Sequence, residues 1–100
     1  MAERVLVVDD EAGNRELREA ILTEDGYLVE QAENGPQALA RAPAAPPDLM
    51  LLDLLMPGMN GFEVCQRLKH DPATASVPVI VVTALGQIRS KEAARSGQVT

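Results

Sequence analysis

The sequence has no tryptophan, one cysteine, one tyrosine and one phenylalanine in 100 residues. A single cysteine, Cys65, excludes an intrachain disulfide and a thiolate zinc cluster, and its helical setting reads as that of a small buried residue. With Tyr27 and Phe62 as the only aromatics, there is no set of rings on which bases could stack. Basic residues are scarce as well. Nine Lys and Arg stand against 15 Asp and Glu, a net charge of -6, which argues against nucleic-acid binding by this domain itself. No apolar run approaches the length of a membrane span. The N-terminus carries one basic residue, Arg4, and moves straight into a β-branched run, so no secretory leader is read there. The expectation is a cytoplasmic protein without membrane association. The length fits one small domain, and 46% hydrophobic with 24% charged residues is an ordinary globular balance.

What is present alternates between two periodicities. Val5-Leu6-Val7-Val8 reads as a buried strand and ends in Asp9, Asp10 and Glu11. A helical pattern follows over residues 14–24, with Asn14 as its cap and Gly26 just past its end. Leu17, Ala20 and Ile21 are predicted to face the core, and Arg15, Glu16, Arg18 and Glu19 to lie on the outer side. Residues 27–32 read as a shorter, more polar strand at a sheet edge. Asn34-Gly35 makes a turn, and Pro36 opens a second helix through Arg41 with Ala38 and Leu39 inward. Pro43-Ala44-Ala45-Pro46-Pro47 is predicted to close that helix as a stiff connection. The apolar run Leu49-Met50-Leu51-Leu52 ends on Asp53, and the chain breaks at Pro57-Gly58. Residues 61–69 read as a third helix, with Phe62, Cys65 and Leu68 inward and Asp71-Pro72 as its end; His70 is expected at an exposed helix end. Residues 77–84 form a fourth apolar strand that ends in Thr83 and Ala84, and residues 89–95 a short helix. Strand and helix alternate throughout. That order implies an α/β fold, a parallel sheet with right-handed crossovers and helices on both faces.

A buried unpaired charge is costly, so a carboxylate at the end of a buried strand calls for a use. In open parallel sheets, ligands bind beyond the carboxyl ends of the strands, where the strand order reverses. Asp9 and Asp10 end the first strand, Asp53 the third and Thr83 the fourth. If the first and third strands are neighbours, three carboxylates converge, and either protonation or a cation must relieve their repulsion. Oxygen-only ligands favour a hard ion such as Mg2+, which keeps several waters and leaves room for a phosphoryl oxygen. Asp53 is then placed to attack phosphorus, since carboxylates form aspartyl-phosphate intermediates. Thr83 offers a hydroxyl to a phosphoryl oxygen, and the loop over residues 54–60 offers backbone carbonyl and N–H groups. Each feature has a plainer use when taken singly. Asp-Asp pairs are common in turns, and a Thr after a strand is often a cap or turn residue. Their arrival at the same end of the strands in one alternating pattern is what favours a site.

These residues fall in a known arrangement. Val5-Leu6-Val7-Val8-Asp9-Asp10-Glu11, Gly26-Tyr27-Leu28-Val29, Ala32-Glu33-Asn34-Gly35 with Ala38-Leu39, Pro47-Asp48-Leu49-Met50-Leu51-Leu52-Asp53, Met56-Pro57-Gly58-Met59-Asn60-Gly61 and Pro78-Val79-Ile80-Val81-Val82-Thr83-Ala84 resemble the receiver domain of two-component response regulators. The resemblance implies a doubly wound, flavodoxin-like sheet of strand order 2-1-3-4-5. It implies that Asp53 receives a phosphoryl group from a histidine kinase or phosphotransfer protein. It implies that Asp9, Asp10, Asp53 and the backbone carbonyl of Leu55 hold Mg2+. Thr83 is implied as the switch hydroxyl, and the small Ala84 as leaving the phosphoryl group accessible. Phosphorylation in such domains shifts a conformational population.

The family pattern continues with a fifth strand that ends in a lysine, and with a fifth helix. No residue of this sequence stands at that lysine's place, since Lys69 and Lys91 fall in predicted helices. The expectation is therefore a receiver domain over residues 1–100 that is C-terminally incomplete, with strand order 2-1-3-4. Its fourth strand becomes an apolar edge, which offers a route to a homodimer. Three functional readings follow: a phosphoacceptor signalling module, a phosphorylation-incompetent receiver-like module for binding or dimerisation, and a Mg2+-dependent phosphohydrolase. The last lacks a second catalytic carboxylate after Asp53, where Leu54 and Leu55 stand.

Overall fold

The computed structural model describes residues 2–82; Thr83, Ala84, Lys91 and the helix predicted over residues 89–95 lie outside the described residues. The elements are β1 (Arg4–Val8), α1 (Ala12–Glu24), β2 (Leu28–Ala32), α2 (Gly35–Ala44), β3 (Leu49–Asp53), α3 (Gly61–His70) and β4 (Val79–Val82). The sheet is parallel, as the alternation of elements implies, and its order β2-β1-β3-β4 is the one the family resemblance implies. The polar β2 takes an edge. The chain moves from β1 to β2 in one direction and from β2 to β3 in the other. Right-handed crossovers then put α1 on one face, with α2 and α3 on the other. The reversal falls between β1 and β3.

The main core fills the α2/α3 face. Leu6, Val8, Ala32, Met50, Leu52, Val79 and Val81 meet Ala38 and Ala42 of α2 and Val64, Cys65 and Leu68 of α3. These are alternate residues on each strand, as the period of two requires. Val5 and Val7 are equally buried on the opposite face. Helix termini are secured locally. Asn60 and Glu63 form a reciprocal capping box at the start of α3, and the Asn34 side chain accepts from Gln37 N–H at α2. Gly26, at φ +94°, ends α1: its N–H donates to Thr23 O while Tyr27 N–H donates to Leu22 O. At the far end of α3, the buried Thr74 hydroxyl donates to Leu68 O at 2.8 Å, and His70 is the exposed last residue of the helix.

Four sequence expectations need correction. Helix α1 begins at Ala12, with Glu11 rather than Asn14 as its N-cap. Its predicted core face is outside: Leu17 is 61% and Ile21 55% exposed, Ala20 is exposed too, and no residue of α1 is fully buried. The half-buried stripe is Asn14, Arg15, Arg18, Glu19 and Leu22, because the arginines find polar partners at the carboxyl ends of β1 and β2. Helix α2 runs on through Pro43 to Ala44. Only one intrahelical N–H is lost by a proline in the last turn, and the helix still closes with Ala45 N–H donating to Arg41 O. In α3, Val64 takes the inward place beside Cys65 and Leu68, while Phe62 lies 37% exposed near the helix start.

Candidate functional site

The register places the acidic residues. Val8 pairs with Leu52 across β1 and β3, so Asp9 and Asp53 each lie one residue beyond the same rung. They meet at the reversal of strand order, where two connections leave the sheet in opposite directions and open a crevice. Asp10 follows on the exposed side of the turn. A carboxylate oxygen from each of Asp9, Asp10 and Asp53 lies within 4.8 Å of the others.

The three differ in surroundings. Asp9 is buried; its Oδ1 accepts from Glu11 N–H at 2.9 Å and its Oδ2 from Arg18 Nη1 at 2.7 Å. Asp53 is 7% exposed, and its Oδ1 accepts from Leu55 N–H at 3.3 Å, a long and therefore weak bond. Burial pushes the Asp53 carboxyl up from 3.8 to about 6; the Asp9 charge and then the Asp10 charge add to that, while the Leu55 N–H and the Arg18 charge oppose it. A cation bound beside a group so placed would offset the opposing charges and favour its ionised form. The donor set fits a hard divalent ion: all oxygen, net negative, with one member exposed.

The loop after β3 is fixed by backbone contacts. Leu54 N–H donates to Val82 O at 2.7 Å, and Gly61 N–H returns to Leu54 O at 2.9 Å. A Cβ at Gly61 would stand 2.8 Å from Asp53 O and 2.9 Å from Leu54 Cα. Only glycine lets the start of α3 approach the Asp53 backbone this closely. Gly58, at φ +82°, carries a γ-turn in which Met59 N–H donates to Pro57 O. Leu55, expected to offer its carbonyl, is exposed, and the bond it makes to Asp53 is through its N–H. Val82 pairs with Asp53, so Thr83, one residue further on, lies outside the described residues. Lys69, the one lysine among the described residues, is exposed on α3.

Sequence reasoning missed the two arginines. Arg15 donates through Nη1 to Asp9 O at 2.7 Å and through Nε to Gln31 Oε1 at 2.9 Å, and Gln31 in turn donates to Glu19. Arg18 pairs with Asp9 itself. The available signal was their spacing of three on a helix that starts directly after an acidic strand end, which puts both on one face.

Comparison with known proteins agrees with this architecture. The family model for the response regulator receiver domain matches residues 5–99. The response regulator PleD of Caulobacter vibrioides is 53% identical over 85 residues, which is 85% of this chain and 19% of PleD. Protein PilH of Pseudomonas aeruginosa is 40% identical over 88 residues, covering 88% of this chain and 73% of PilH. The chain thus spans about a fifth of one curated relative and about three quarters of the other. Among solved structures, the N-terminal domain of a response regulator receiver protein from Methanoculleus marisnigri superposes with a TM-score of 0.88 at 33% identity, covering 100% of this chain and 81% of that one. The chemotaxis protein CheY4 of Vibrio cholerae gives 0.86 at 30% identity, covering 100% and 83%. The chain belongs to the response regulator receiver domain family, the family its strand order and acidic crevice point to.

Proposed function

We propose that this domain works in two-component signalling by accepting a phosphoryl group on Asp53 from the phosphohistidine of a histidine kinase or phosphotransfer protein. The observation that supports this reading most strongly is the convergence of Asp9, Asp10 and Asp53 at the point where the strand order reverses. In this reading Asp9, Asp10, Asp53 and the Leu55 carbonyl hold Mg2+. When bound, the ion supplies positive charge to the transferring phosphoryl oxygens.

The chain's own part is positioning and charge. Asp53, ionised, attacks phosphorus with a carboxylate oxygen. An O–P bond forms as the donor's N–P bond breaks, and the electron pair and a proton end on the leaving imidazole. The loop from Leu54 to Gly61 is pinned at both ends by hydrogen bonds, which holds the backbone that follows Asp53 in place beside the crevice. Thr83 is assigned to a phosphoryl oxygen, and the small Ala84 to access. Transfer makes Asp53 a dianionic group, and the resulting shift in conformational population is the signal. The partners place the reaction in the cytoplasm, and β4, which among the described residues pairs with β3 alone, offers an edge for a second copy. Neither the phosphorylation-incompetent reading nor the phosphohydrolase reading gains an observation in its favour.

The test is incubation with acetyl phosphate and Mg2+, followed by intact mass measurement. The wild type is expected to gain one phosphoryl group. Loss of the gain on chelation or in Asp53→Asn supports the assignment; an equal gain in Asp53→Asn contradicts it.

A further inference from the structure

The site contains a cation of its own. Asp9 is 1% exposed, and one of its oxygens is held at 2.7 Å by Arg18, whose side chain is only 23% exposed. A pair so shielded is weakly screened and is worth more than an ion pair in open solvent. It neutralises one of the three carboxylates whose mutual repulsion would otherwise be left entirely to a metal ion. The other ion pair among the described residues, Arg4–Glu30, involves the first residue of β1, at the opposite end of the strand from Asp9.

Arg18 can release Asp9 without releasing its helix. Arg15, one turn earlier on the same stripe, ties α1 independently to the Asp9 carbonyl and to Gln31 of β2. Asp9 also keeps its second anchor, the bond from Glu11 N–H. The Arg18–Asp9 pair is therefore a contact that can be exchanged for another cation at little structural cost.

Resting on the reading of Asp9, Asp10 and Asp53 as a divalent-cation site, we propose that Arg18 is an internal counter-ion that competes with the divalent ion for the Asp9 carboxylate and thereby sets the affinity of the site. Two effects act in the same direction. The ion must take over negative charge that Arg18 already engages, and the guanidinium repels a dication that approaches the same carboxylate. Arg18 is a tuning residue, not a ligand. If it instead stayed in place and oriented Asp9 for the metal, its removal would weaken binding.

Binding of Mn2+, a hard-oxygen surrogate for Mg2+, is measured by the paramagnetic signal of the free ion, with Mg2+ as competitor. Arg18→Met removes the charge and keeps an apolar stem, and Arg18→Gln removes the charge and keeps hydrogen-bonding groups. Both are expected to bind about three- to tenfold more tightly than wild type. Arg18→Lys is expected to stay near wild type. Circular dichroism checks that each variant folds, and the two neutral variants are unlike enough that one fold failure leaves the other to decide. Thermal unfolding gives a second reading: saturating Mg2+ should raise the Tm of the neutral variants more than that of wild type. Equal or weaker binding in a folded neutral variant, or an equal rise in Tm, would overturn the proposal. Asp10→Asn separates this failure from failure of the site itself. Wild-type binding that Asp10→Asn abolishes upholds the metal site whatever Arg18 does, whereas no binding by wild type or any variant sinks both.

Discussion

Asp53 sits where its charge is opposed, and that has a consequence for stability in the absence of a divalent ion. Its carboxyl is raised from 3.8 to about 6, first by burial and then by Asp9. Between those two values the native protein keeps a proton that the unfolded chain has released. Stability therefore falls as pH rises through the window from 3.8 to about 6, and the penalty is complete above it. Asp53→Asn removes the penalty, so at neutral pH the ion-free variant is expected to be more stable by roughly 1–3 kcal/mol. Urea unfolding with a chelator present checks this at two pH values: the gain should shrink toward zero below the window, and a gain independent of pH would contradict the assignment. Gly61 gives a prediction of the opposite sign. Its missing Cβ leaves the Asp53 carbonyl only just room, so Gly61→Ala is expected to cost about 1–3 kcal/mol by displacing the loop after β3, read as a lower Tm. At this scale the acids were legible in the sequence, because a carboxylate ending an apolar strand is conspicuous. Arg18 was not, since its meaning depends on which face of α1 meets the sheet. Cys65 behaves as its sequence setting indicates: burial pushes its thiol up to about 11, which leaves it un-ionised at neutral pH.

Among the elements, β1 and β3 were the easiest to read. Both lie inside the sheet and form unbroken apolar runs; β1 is buried on both faces, while Leu49 and Leu51 leave one face of β3 half-buried. Helix α1 was harder. The apolar stripe of Leu17, Ala20 and Ile21 has the right period, yet a polar stripe one position over is the one that docks, held by Arg15, Arg18 and Glu19. Periodicity alone does not record that charged groups can be drawn inward by partners on another strand. The energetic contrast is testable. Leu17→Gln and Ile21→Gln are expected to stay within about 0.5 kcal/mol of wild type, whereas Leu52→Ala, in the main core, should cost about 2–5 kcal/mol. Comparable losses at Leu17 and Leu52 would contradict the observed docking of α1. Asn60→Ala breaks the capping box at the start of α3 and is expected to cost about 1 kcal/mol in the same unfolding assay. The extent of α2 was missed because Pro43 reads as a stop, although a proline in the last turn costs only one backbone bond.

For the molecule as a whole, one topological fact connects fold to chemistry. Strand order reverses between β1 and β3, and the two strands that flank the reversal carry the acidic residues at their carboxyl ends. The alternation of strands and helices made the parallel sheet legible from sequence. The order 2-1-3-4 was implied by resemblance, because no local pattern says on which side of β1 the chain will add β3. Reversal, convergence and a buried, raised carboxyl are the observations on which the proposal of Asp53 as phosphoacceptor rests. That claim can be tested at the residue itself. The domain is phosphorylated with acetyl phosphate and Mg2+, the acyl phosphate is trapped by borohydride reduction to the alcohol, and the modified position is located by peptide mass spectrometry. The expected result is homoserine in place of Asp53 and at no other carboxylate. Reduction product at Asp9, Asp10 or elsewhere, or none in a folded, Mg2+-loaded domain, would contradict the account.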